Sequence, residues 1–345
     1  MNKPATLMEV ARIAGVSTAT VARVLKNQGY VSAKAREQIE AAVKATGYRP
    51  NAMARNLRQQ RSYTIGHVVS AVTANPFFVN VAHGAEDEAF ARGFSTLLFN
   101  HNGSAERERA GIERFIEQRV DAVLFTTAIE VSDVALLLKE RIPVVQVERR
   151  VTADAPSVTV DNEVGALEAM AYLIELGHRR IAFIGGTPMV DDRLVEAERE
   201  NAYRIGLFNA GLSWRDEYVG HGAYYSPEDG TGRDGYRHTK AFLSLPRDKR
   251  PTAIFATCDI LAASALQAIN EMGLRVPGDI SIIGFDDTLA QNLAPPLTTV
   301  AQPMQELGRR AFGMALSMIE GDRSPVPVRL PSRLVIRHSV GPPPR

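Results

Sequence analysis

The stretch TLMEVARIAGVSTATVARVLKN, residues 6–27, decides the fold of the N-terminal part of the chain. Thr6 is followed three residues later by Glu9, a capping-box pattern that predicts a helix running to about Ile13. Gly15 permits the left-handed backbone conformation that ends a helix and begins a tight turn. The stretch therefore predicts a short helix, a glycine turn and the start of a second helix.

The second helix follows Ser17, whose hydroxyl can cap it, and a third helix follows Ser32 and stops at Gly47. Apolar residues recur at helical spacing and predict one buried face on each helix. These residues are Leu7, Val10, Ala11 and Ala14 in the first helix, Val21, Val24 and Leu25 in the second, and Ile39, Ala42 and Val43 in the third. Two short helices joined by a glycine turn and braced by a third form a helix-turn-helix, whose second helix enters the major groove of DNA.

The outer face of the second helix carries Thr18, Ala19, Ala22 and Arg23. An arginine suits a bidentate contact to guanine, whereas Thr18 and Ala19 are short side chains that can touch a thymine methyl group. We therefore expect Arg23 to carry much of the direct base recognition. A solvated arginine on an exposed helix face is the alternative.

The first 61 residues are strongly basic. They contain eleven Lys and Arg and three Glu, a net charge of 11 − 3 = +8, while the rest of the chain carries 29 − 36 = −7. A basic head on a mildly acidic body predicts that the head binds a polyanion such as DNA. Charge alone leaves a solvated basic tail as the alternative.

A further short helix is predicted in RPNAMARNLRQQRS, residues 49–62. Pro50 prevents the third helix from continuing, and Asn51 can cap a new helix that runs through Leu57. A helix of this length does not hold together by itself in water. The segment then begins a linker to the rest of the chain.

The composition is that of an ordinary globular protein. The 345 residues are 45% hydrophobic and 23% charged, which predicts two or three domains. Cys258 is the single cysteine, so no intrachain disulfide can form and a reducing cytosol fits. The N-terminus lacks the apolar core of a signal peptide, and no apolar run is long enough for a membrane span. We expect a cytoplasmic protein with no membrane partner.

From Tyr63 onward, apolar strands alternate with amphipathic helices. Continuous apolar runs indicate strands buried on both faces, and their alternation with helices indicates parallel sheets covered by helices. The predicted strands lie in TIGHVVSAV, STLLFN, DAVLFTTA, PVVQVE, VTVDN, RIAFIGG, AIFATCD and ISIIGFDD. This part of the chain exceeds one typical open sheet, so two lobes are expected.

Polar and aromatic residues that follow the strands are candidates for a small-molecule site, because loops and helix N-termini converge at the carboxyl ends of parallel strands. An aromatic ring can stack on a sugar, and an arginine paired with a carboxylate suits the hydroxyls of a polyol. The candidates are Phe77, Phe78, Arg149, Asp161, Asp259, Asp286 and Gln302. A helix cap or a surface ion pair is the alternative role, and Asp161 in particular can cap the following helix.

Residues 6–27, followed by VSAKAREQIEAAVKATGYRPNAMARNLR, resemble the lactose-repressor (LacI/GalR) family of bacterial transcription regulators. The resemblance implies that Thr18, Ala19 and Arg23 face base edges. It also implies a hinge helix that orders when two copies pack in the minor groove, where Leu57 inserts between base steps and kinks the duplex; an exposed linker leucine is the alternative. The further DNA-binding residues that we expect are Thr6, Ser17, Asn27, Lys34, Asn51 and Arg55.

The resemblance covers nearly the whole chain. It implies a periplasmic-binding-protein-like core of two Rossmann-like lobes joined by three crossovers, which we place near Asp161, Ala301 and Gly321. The predicted domains are a helix-turn-helix at 1–49, a hinge helix and linker at 50–62, and an effector-binding and dimerisation core at 63–345, with an N-lobe at about 63–161 and 302–321 and a C-lobe at about 162–301 and 322–345.

The resemblance adds Arg199 to the effector-binding candidates and makes Arg199 and Asp286 the leading pair. The family has an arginine three residues before a glycine on the same helix, and Ala202 stands in place of that glycine. Cys258 stands where an asparagine is common. Because the preceding loop is long, Arg193 remains the alternative arginine.

No motif typical of an enzyme occurs. FIGGTP lacks the glycine spacing of a dinucleotide-binding loop, and the sequence has no Walker A motif, no zinc-protease motif and no cysteine cluster for a metal. We therefore predict no catalytic residue, no metal and no cofactor. His178 and Cys258 are expected to be packing residues.

The leading hypothesis is a repressor that binds a pseudo-palindromic DNA operator as a homodimer and responds to a small sugar-like effector between the lobes. A purine- or nucleotide-responsive corepressed regulator of the same family is the first alternative. A sugar-binding protein or an enzyme built on the same core is the second, and the basic head argues against it because neither needs a helix-turn-helix.

Overall fold

The computed structural model describes residues 5–25, 27–48, 61–70, 75–186, 195–223, 225–226, 230–231 and 233–344. The chain divides into two compact units, residues 1–62 and 63–345. The predicted hinge helix, with Asn51, Arg55 and Leu57, and the alternative arginine Arg193 lie outside the described residues.

The first unit contains three helices, α1 (Leu7–Ala14), α2 (Thr18–Leu25) and α3 (Ala33–Thr46). The predicted caps at Thr6, Ser17 and Ser32 are confirmed. The hydroxyl oxygens of Thr6, Ser17 and Ser32 accept hydrogen bonds from the backbone N–H three residues later, at 3.3, 3.2 and 3.3 Å. Gly15 and Gly47 end α1 and α3 with φ of 65° and 62°, the left-handed conformation that glycine adopts without strain.

The core of the first unit lies where the three helices meet. It consists of Val10, Ala11, Ala14, Val21, Val24, Ile39 and Ala42, with Leu7 and Val43 partly buried against it. Leu25 was predicted to be buried, but 36% of it is exposed. It is the last residue of α2, and Val21 and Val24 already fill the contact with the other helices. The apolar faces thus form a small core that leaves the opposite face of α2 in solvent.

The second unit is built on two six-stranded sheets, and the lobes around them are called the N-lobe and the C-lobe. In order across the sheet, the N-lobe strands are β13 (Val328–Pro331), β5 (Ser157–Asp161), β4 (Val144–Val147), β3 (Ala122–Thr126), β1 (Thr64–Val69) and β2 (Ser95–Asn100). The C-lobe strands are β14 (Arg333–Val335), β12 (Thr298–Ala301), β11 (Ser281–Asp286), β10 (Ala253–Ala256), β6 (Ile181–Gly186) and β7 (Val219–Gly222). Every neighbouring pair is parallel except β12 and β14, and all eight predicted strands are present.

Helices cover these sheets. They are α4 (Pro76–Ala91), α5 (Ala105–Glu117), α6 (Val131–Lys139), α7 (Asn162–Glu175), α8 (Val195–Asn209), α9 (Arg233–Leu243), α10 (Asp259–Glu271) and α11 (Met304–Ile319). Short 3₁₀ helices lie at Asp216–Tyr218 and Ala290–Asn292, and β8 (Tyr225–Ser226) pairs with β9 (Gly230–Thr231). The alternation gives two doubly wound α/β lobes, as the sequence pattern predicts.

The chain crosses between the lobes three times. β5 ends at Asp161 in the N-lobe and leads into α7 of the C-lobe, and β12 ends at Ala301 and leads into α11 of the N-lobe. The third crossing lies at Ser332, between β13 and β14, and the prediction near Gly321 was wrong. The pattern missed β13 because its residues are half-buried or exposed in alternation and form no continuous apolar run. Residues 322–331 therefore belong with the N-lobe.

Helices α4 and α11 cross at two glycines. A Cβ atom on Gly84 would lie 2.0 Å from the backbone oxygen of Gln305, and one on Gly308 would lie 2.0 Å from the backbone oxygen of Val81. Neither oxygen belongs to a flexible side chain, so relief of the clash requires the helices to move apart. The two glycines therefore set the distance between the helices.

We expect Gly308→Ala to lower the free energy of unfolding by about 1–3 kcal/mol, the usual cost of overpacking. Gly313→Ala on the same helix is the matched control, since a Cβ there meets nothing within 4 Å. It should leave stability unchanged or raise it by about 0.5–1 kcal/mol through its better helix propensity. Urea unfolding of both variants measures the difference, and equal stabilities would contradict the glycine-mediated crossing.

Candidate functional site

A cleft of about 380 Å³ opens where the carboxyl ends of strands from both sheets meet. Its described lining residues are Asn75, Phe77, Phe78, Thr127, Glu148 and Arg149 from the N-lobe, Val195, Glu196, Arg199, Cys258 and Asp286 from the C-lobe, and Gln302 at the second crossing. Six of the eight predicted effector-binding residues line it: Phe77, Phe78, Arg149, Arg199, Asp286 and Gln302.

Asp161 and Asp259 are not among the lining residues, because their carboxylates are engaged elsewhere. Asp161 caps α7 by accepting a hydrogen bond from the backbone N–H of Val164 at 3.2 Å, and it pairs with Arg329 at 3.1 Å. Asp259 is fully buried and accepts hydrogen bonds from the backbone N–H groups of residues 288 and 289 and from the hydroxyl of Thr299. Both hold structural elements together beside the cleft.

Arg199 is the most heavily engaged side chain of the cleft. Its guanidinium donates hydrogen bonds to Oδ1 of Asn162 at 2.9 and 3.1 Å and to the backbone oxygen of Thr257 at 2.8 Å. It also lies 3.9 Å from the ring centre of Phe285, a cation–π distance. These contacts fix the guanidinium against the C-lobe and direct its remaining face to the cleft.

Two carboxyl groups lie against this guanidinium. Oε1 of Glu148 is 3.3 Å from Nη2 of Arg199, and Oδ1 of Asp286 is 4.0 Å from Nη1. Burial raises the pKa of Glu148 to about 7 and raises that of Asp286 well above its usual range, while Arg199 lowers both. Nε2 of Gln302 donates a hydrogen bond of 2.6 Å to Oδ1 of Asp286. The cleft therefore holds two buried acids that depend on one arginine.

Ion pairs connect the two lobes across the cleft. Arg149 of the N-lobe pairs with Glu196 of α8, and Glu148 of the N-lobe pairs with Arg199 of the same helix. Arg329 of β13 adds a third link through Glu198 of α8, at 3.6 Å. Helix α8 thus supplies the C-lobe partner in each of these three ion pairs.

Helix α8 also contacts the single tryptophan of the chain. The guanidinium of Arg204 lies 3.6 Å from the ring centre of Trp214, and the ring of Tyr203 packs against the same indole at 5.7 Å. Nε1 of Trp214 donates a hydrogen bond of 2.7 Å to Asp216. The half-buried indole therefore packs against α8, the helix that supplies Glu196 and Arg199 to the cleft.

Three non-glycine residues of the cleft have positive φ. Thr127 and Glu148 follow β3 and β4 with φ of 67°, and Asp286 ends β11 with φ of 112°. Such conformations cost free energy in residues with a Cβ, and they concentrate at binding sites, where they orient side chains. The strain occurs at the strand ends, where the sequence pattern placed the site.

Four lining side chains that carry polar groups are not among the eight predicted residues: Asn75, Thr127, Glu148 and Glu196. Asn75 and Glu148 follow strands, as the strand-end criterion requires, and Glu148 stands directly beside Arg149. Asn75 accepts a hydrogen bond from the backbone N–H of Phe77 at 2.9 Å and begins α4. Glu196 follows no strand and lies in the first turn of α8, so no local signal marks it.

The two aromatic candidates differ in their surroundings. Phe77 is 4% exposed and belongs to the N-lobe core, whereas Phe78 is half-buried and packs edge-on against Phe77, with ring centres 5.5 Å apart. Phe78 therefore offers the more accessible ring.

Cys258 also lines the cleft and is 2% exposed. Burial raises its thiol pKa well above the usual range, so the thiol is un-ionised at neutral pH.

The helix-turn-helix exposes the residues predicted to meet DNA. Thr18, Ala19 and Arg23 are exposed on α2, and Lys34 is exposed at the start of α3. Thr6 and Ser17 are exposed as well, although their hydroxyls cap helices. Asn27 accepts a hydrogen bond of 3.3 Å from Arg36. The first unit therefore presents one basic, solvent-exposed helix face.

Two family descriptions match the chain: "Bacterial regulatory proteins, lacI family" over residues 6–51 and "Periplasmic binding protein-like domain" over residues 170–340. The ribose operon repressor of Escherichia coli is 36% identical over 320 residues, covering 91% of this chain and 93% of its own length. The transcriptional repressor PurR of Erwinia tasmaniensis is 36% identical over 325 residues, covering 92% of each chain.

The chain belongs to the LacI family of bacterial regulatory proteins. A crystal structure of the lac repressor dimer bound to operator and an anti-inducer matches 98% of this chain and 99% of that one, with a TM-score of 0.82 and 27% identity. As a LacI-family member, the protein is a DNA-binding transcription regulator and not an enzyme. Within the described ranges, no helix is long and apolar enough to cross a bilayer.

Proposed function

We propose that this LacI-family protein is a cytoplasmic repressor that binds a pseudo-palindromic operator as a homodimer and releases or retains it in response to a small sugar-like effector in the cleft. The observation that carries the proposal is the meeting of Arg199, Asp286 and Glu148 at the carboxyl ends of strands from two lobes. An arginine fork with buried carboxylates suits the hydroxyls of a sugar. The ribose operon repressor is named for a sugar operon, and the structure of the lac repressor dimer bound to operator and an anti-inducer supports a dimer on its operator.

DNA binding is assigned to the helix-turn-helix and hinge. Arg23 would read a base edge, with Thr18 and Ala19 beside it, and Thr6, Ser17, Asn27 and Lys34 would lie near the phosphates. Asn51, Arg55 and the Leu57 wedge stay predictions from the resemblance. One short helix per subunit makes too few contacts alone, which is the reason for proposing a dimer.

A purine-responsive regulator is the second candidate, and the likeness to the repressor PurR favours it. Phe77 and Phe78 at the cleft would stack on a purine ring as well as on a sugar. A thermal-shift screen against sugars, polyols, sugar acids and purines separates the candidates, because a ligand that binds only the native state raises the melting temperature. A purine that binds while every sugar fails would overturn the sugar proposal.

Asp286→Ala should abolish the effector response and leave operator binding intact, because Asp286 belongs to the cleft and the operator is read by the first unit. The measurement is operator binding titrated with the effector found by the screen, by fluorescence anisotropy. Asp279→Ala is the control, since Asp279 forms an exposed pair with Arg275. A normal effector dose–response in Asp286→Ala would remove Asp286 from the site.

A further inference from the structure

Three oxygen atoms of the cleft are buried without a hydrogen-bond partner among the described residues: Oε2 of Glu148, Oε2 of Glu196 and Oε1 of Gln302. The side chains that carry them are 7%, 8% and 7% exposed. Each atom is a hydrogen-bond acceptor, and a buried acceptor without a donor costs free energy. These three oxygens of the cleft thus have no donor among the described residues.

Each of the two glutamates is paired with an arginine of the opposite lobe. Glu148 of the N-lobe has one oxygen beside Arg199 of the C-lobe, and Glu196 of the C-lobe has one oxygen paired with Arg149 of the N-lobe. In each case the second oxygen of the carboxylate has no hydrogen-bond partner in the part of the chain that the structure describes. The arginines therefore hold the glutamates in place and leave one acceptor on each lobe for a ligand that bridges the two.

The charged groups of the lining also favour a ligand without negative charge. Its described lining residues include three carboxyl groups, those of Glu148, Glu196 and Asp286, and two guanidinium groups, those of Arg149 and Arg199. Burial raises the pKa values of Glu148 and Asp286, so the site disfavours negative charge even on its own carboxyl groups. A ligand with a carboxylate or phosphate would meet the same desolvation cost and lie beside three carboxyl groups.

We infer that the effector presents hydrogen-bond donors and no negative charge, so that its hydroxyl groups or a protonated amine contact Glu148, Glu196 and Gln302, and that the cleft rejects sugar acids and sugar phosphates. The inference rests on the proposed function and restricts its effector to non-anionic hydrogen-bond donors. A hydroxyl and an ammonium group supply the same donor chemistry. They differ in charge, and the experiment separates them.

The test is a thermal-shift and operator-release screen of matched sets on the full-length protein. Each set contains a neutral sugar, its 2-amino derivative, its uronic acid and its phosphate, for example glucose, glucosamine, glucuronate and glucose 6-phosphate. The inference expects the largest shift from a neutral or amino member. A larger shift from the amino member identifies an ammonium contact, and a shift as large or larger from the neutral member identifies hydroxyl contacts.

A largest shift from an acid or phosphate overturns the inference, while operator release by that same ligand would leave the proposed function standing. A panel in which purine bases alone raise the melting temperature overturns both. A panel with no response also overturns the inference, because the sets contain the common monosaccharides and their derivatives.

Charge-removing variants give a second measurement. Glu148→Gln and Glu196→Gln keep the size of the side chain but remove a charged acceptor, so affinity for the best non-anionic ligand should fall roughly tenfold to hundredfold. Affinity for the matching acid should rise. Glu217→Gln is the control, because Glu217 lies on the surface in an exposed pair with Arg215. Unchanged affinity in both cleft variants would overturn the inference.

Discussion

Arg199→Ala is expected to abolish the effector response and to lower the free energy of unfolding by about 3–5 kcal/mol, the usual cost of removing one partner of a buried ion pair. The side chain is 4% exposed and contacts Glu148 and Asp286, which are both buried. Without the guanidinium, both acids lose the cation that lowers their pKa most, and the acceptors on Asn162 and Thr257 lose a donor.

The effect of Arg199→Ala should depend on pH. When the pKa of a carboxyl is higher in the folded than in the unfolded state, the free energy of unfolding falls as the pH rises from the unfolded pKa to the folded pKa. For Glu148 the folded pKa is about 7, and Arg199 holds it below the value that burial alone would give. In the variant this pKa rises further, so stability keeps falling in the pH range above 7 in which the loss from Glu148 in the wild type levels off.

Chemical unfolding of the wild type and the variant at pH about 6 and about 8 measures this, and the difference should be larger at the higher pH. Arg275→Ala is the control, because Arg275 forms an exposed pair with Asp279 and its loss should cost no more than about 1 kcal/mol. A stability loss in Arg199→Ala no greater than that of the control would show that the buried acids do not depend on Arg199.

Arg23→Ala is expected to produce the second large effect, a loss of specific operator affinity without a loss of stability. Arg23 is exposed on α2, while the core contacts of that helix come from Val21 and Val24. A bidentate arginine–guanine pair discriminates by about 1–3 kcal/mol. Since a dimer loses the contact at both half-sites, the total is roughly 2–6 kcal/mol. The melting temperature of the first unit should not change.

The measurement is a gel-shift titration against an operator selected by the wild-type protein from random DNA, with unrelated DNA in parallel. Lys44→Ala removes the same charge from an exposed position of α3 and serves as the control. Both variants should bind unrelated DNA somewhat more weakly, but Arg23→Ala alone should lose the preference for the operator. Equal operator affinity in the two variants would make Arg23 a general phosphate contact.

Short-range patterns predicted the elements well because local chemistry determines them. The hydroxyl caps at Thr6, Ser17 and Ser32 and the left-handed Gly15 are set by residues within one helical turn. The same holds for seven of the eight predicted strands, whose apolar runs mark burial on two faces; β2 is the exception, since its residues are half-buried or exposed. The burial of a residue at the end of a helix, such as Leu25, depends instead on whether the neighbouring helices extend far enough to cover it.

Long-range pairing was harder to predict. β13 has no apolar run, so its position beside β5, and with it the crossing at Ser332, follows from tertiary contacts alone. Strand-end position gave five lining residues of the cleft and the family resemblance gave Arg199, but Asp161 and Asp259 meet the strand-end criterion and serve as structural hydrogen-bond acceptors. Glu196 reaches the cleft from inside a helix. Strand-end position thus identifies candidates, and only the three-dimensional partners of each carboxylate separate a ligand contact from a cap.

The stacking of Arg204 on Trp214 has a practical consequence. The chain contains one tryptophan, so its emission is the signal of a single site. A guanidinium 3.6 Å from the indole, on the helix that carries Glu196 and Arg199, couples the local environment of the fluorophore to the position of α8. A ligand that moves α8 is therefore expected to change the intrinsic fluorescence, which can be read in the same titration as operator release.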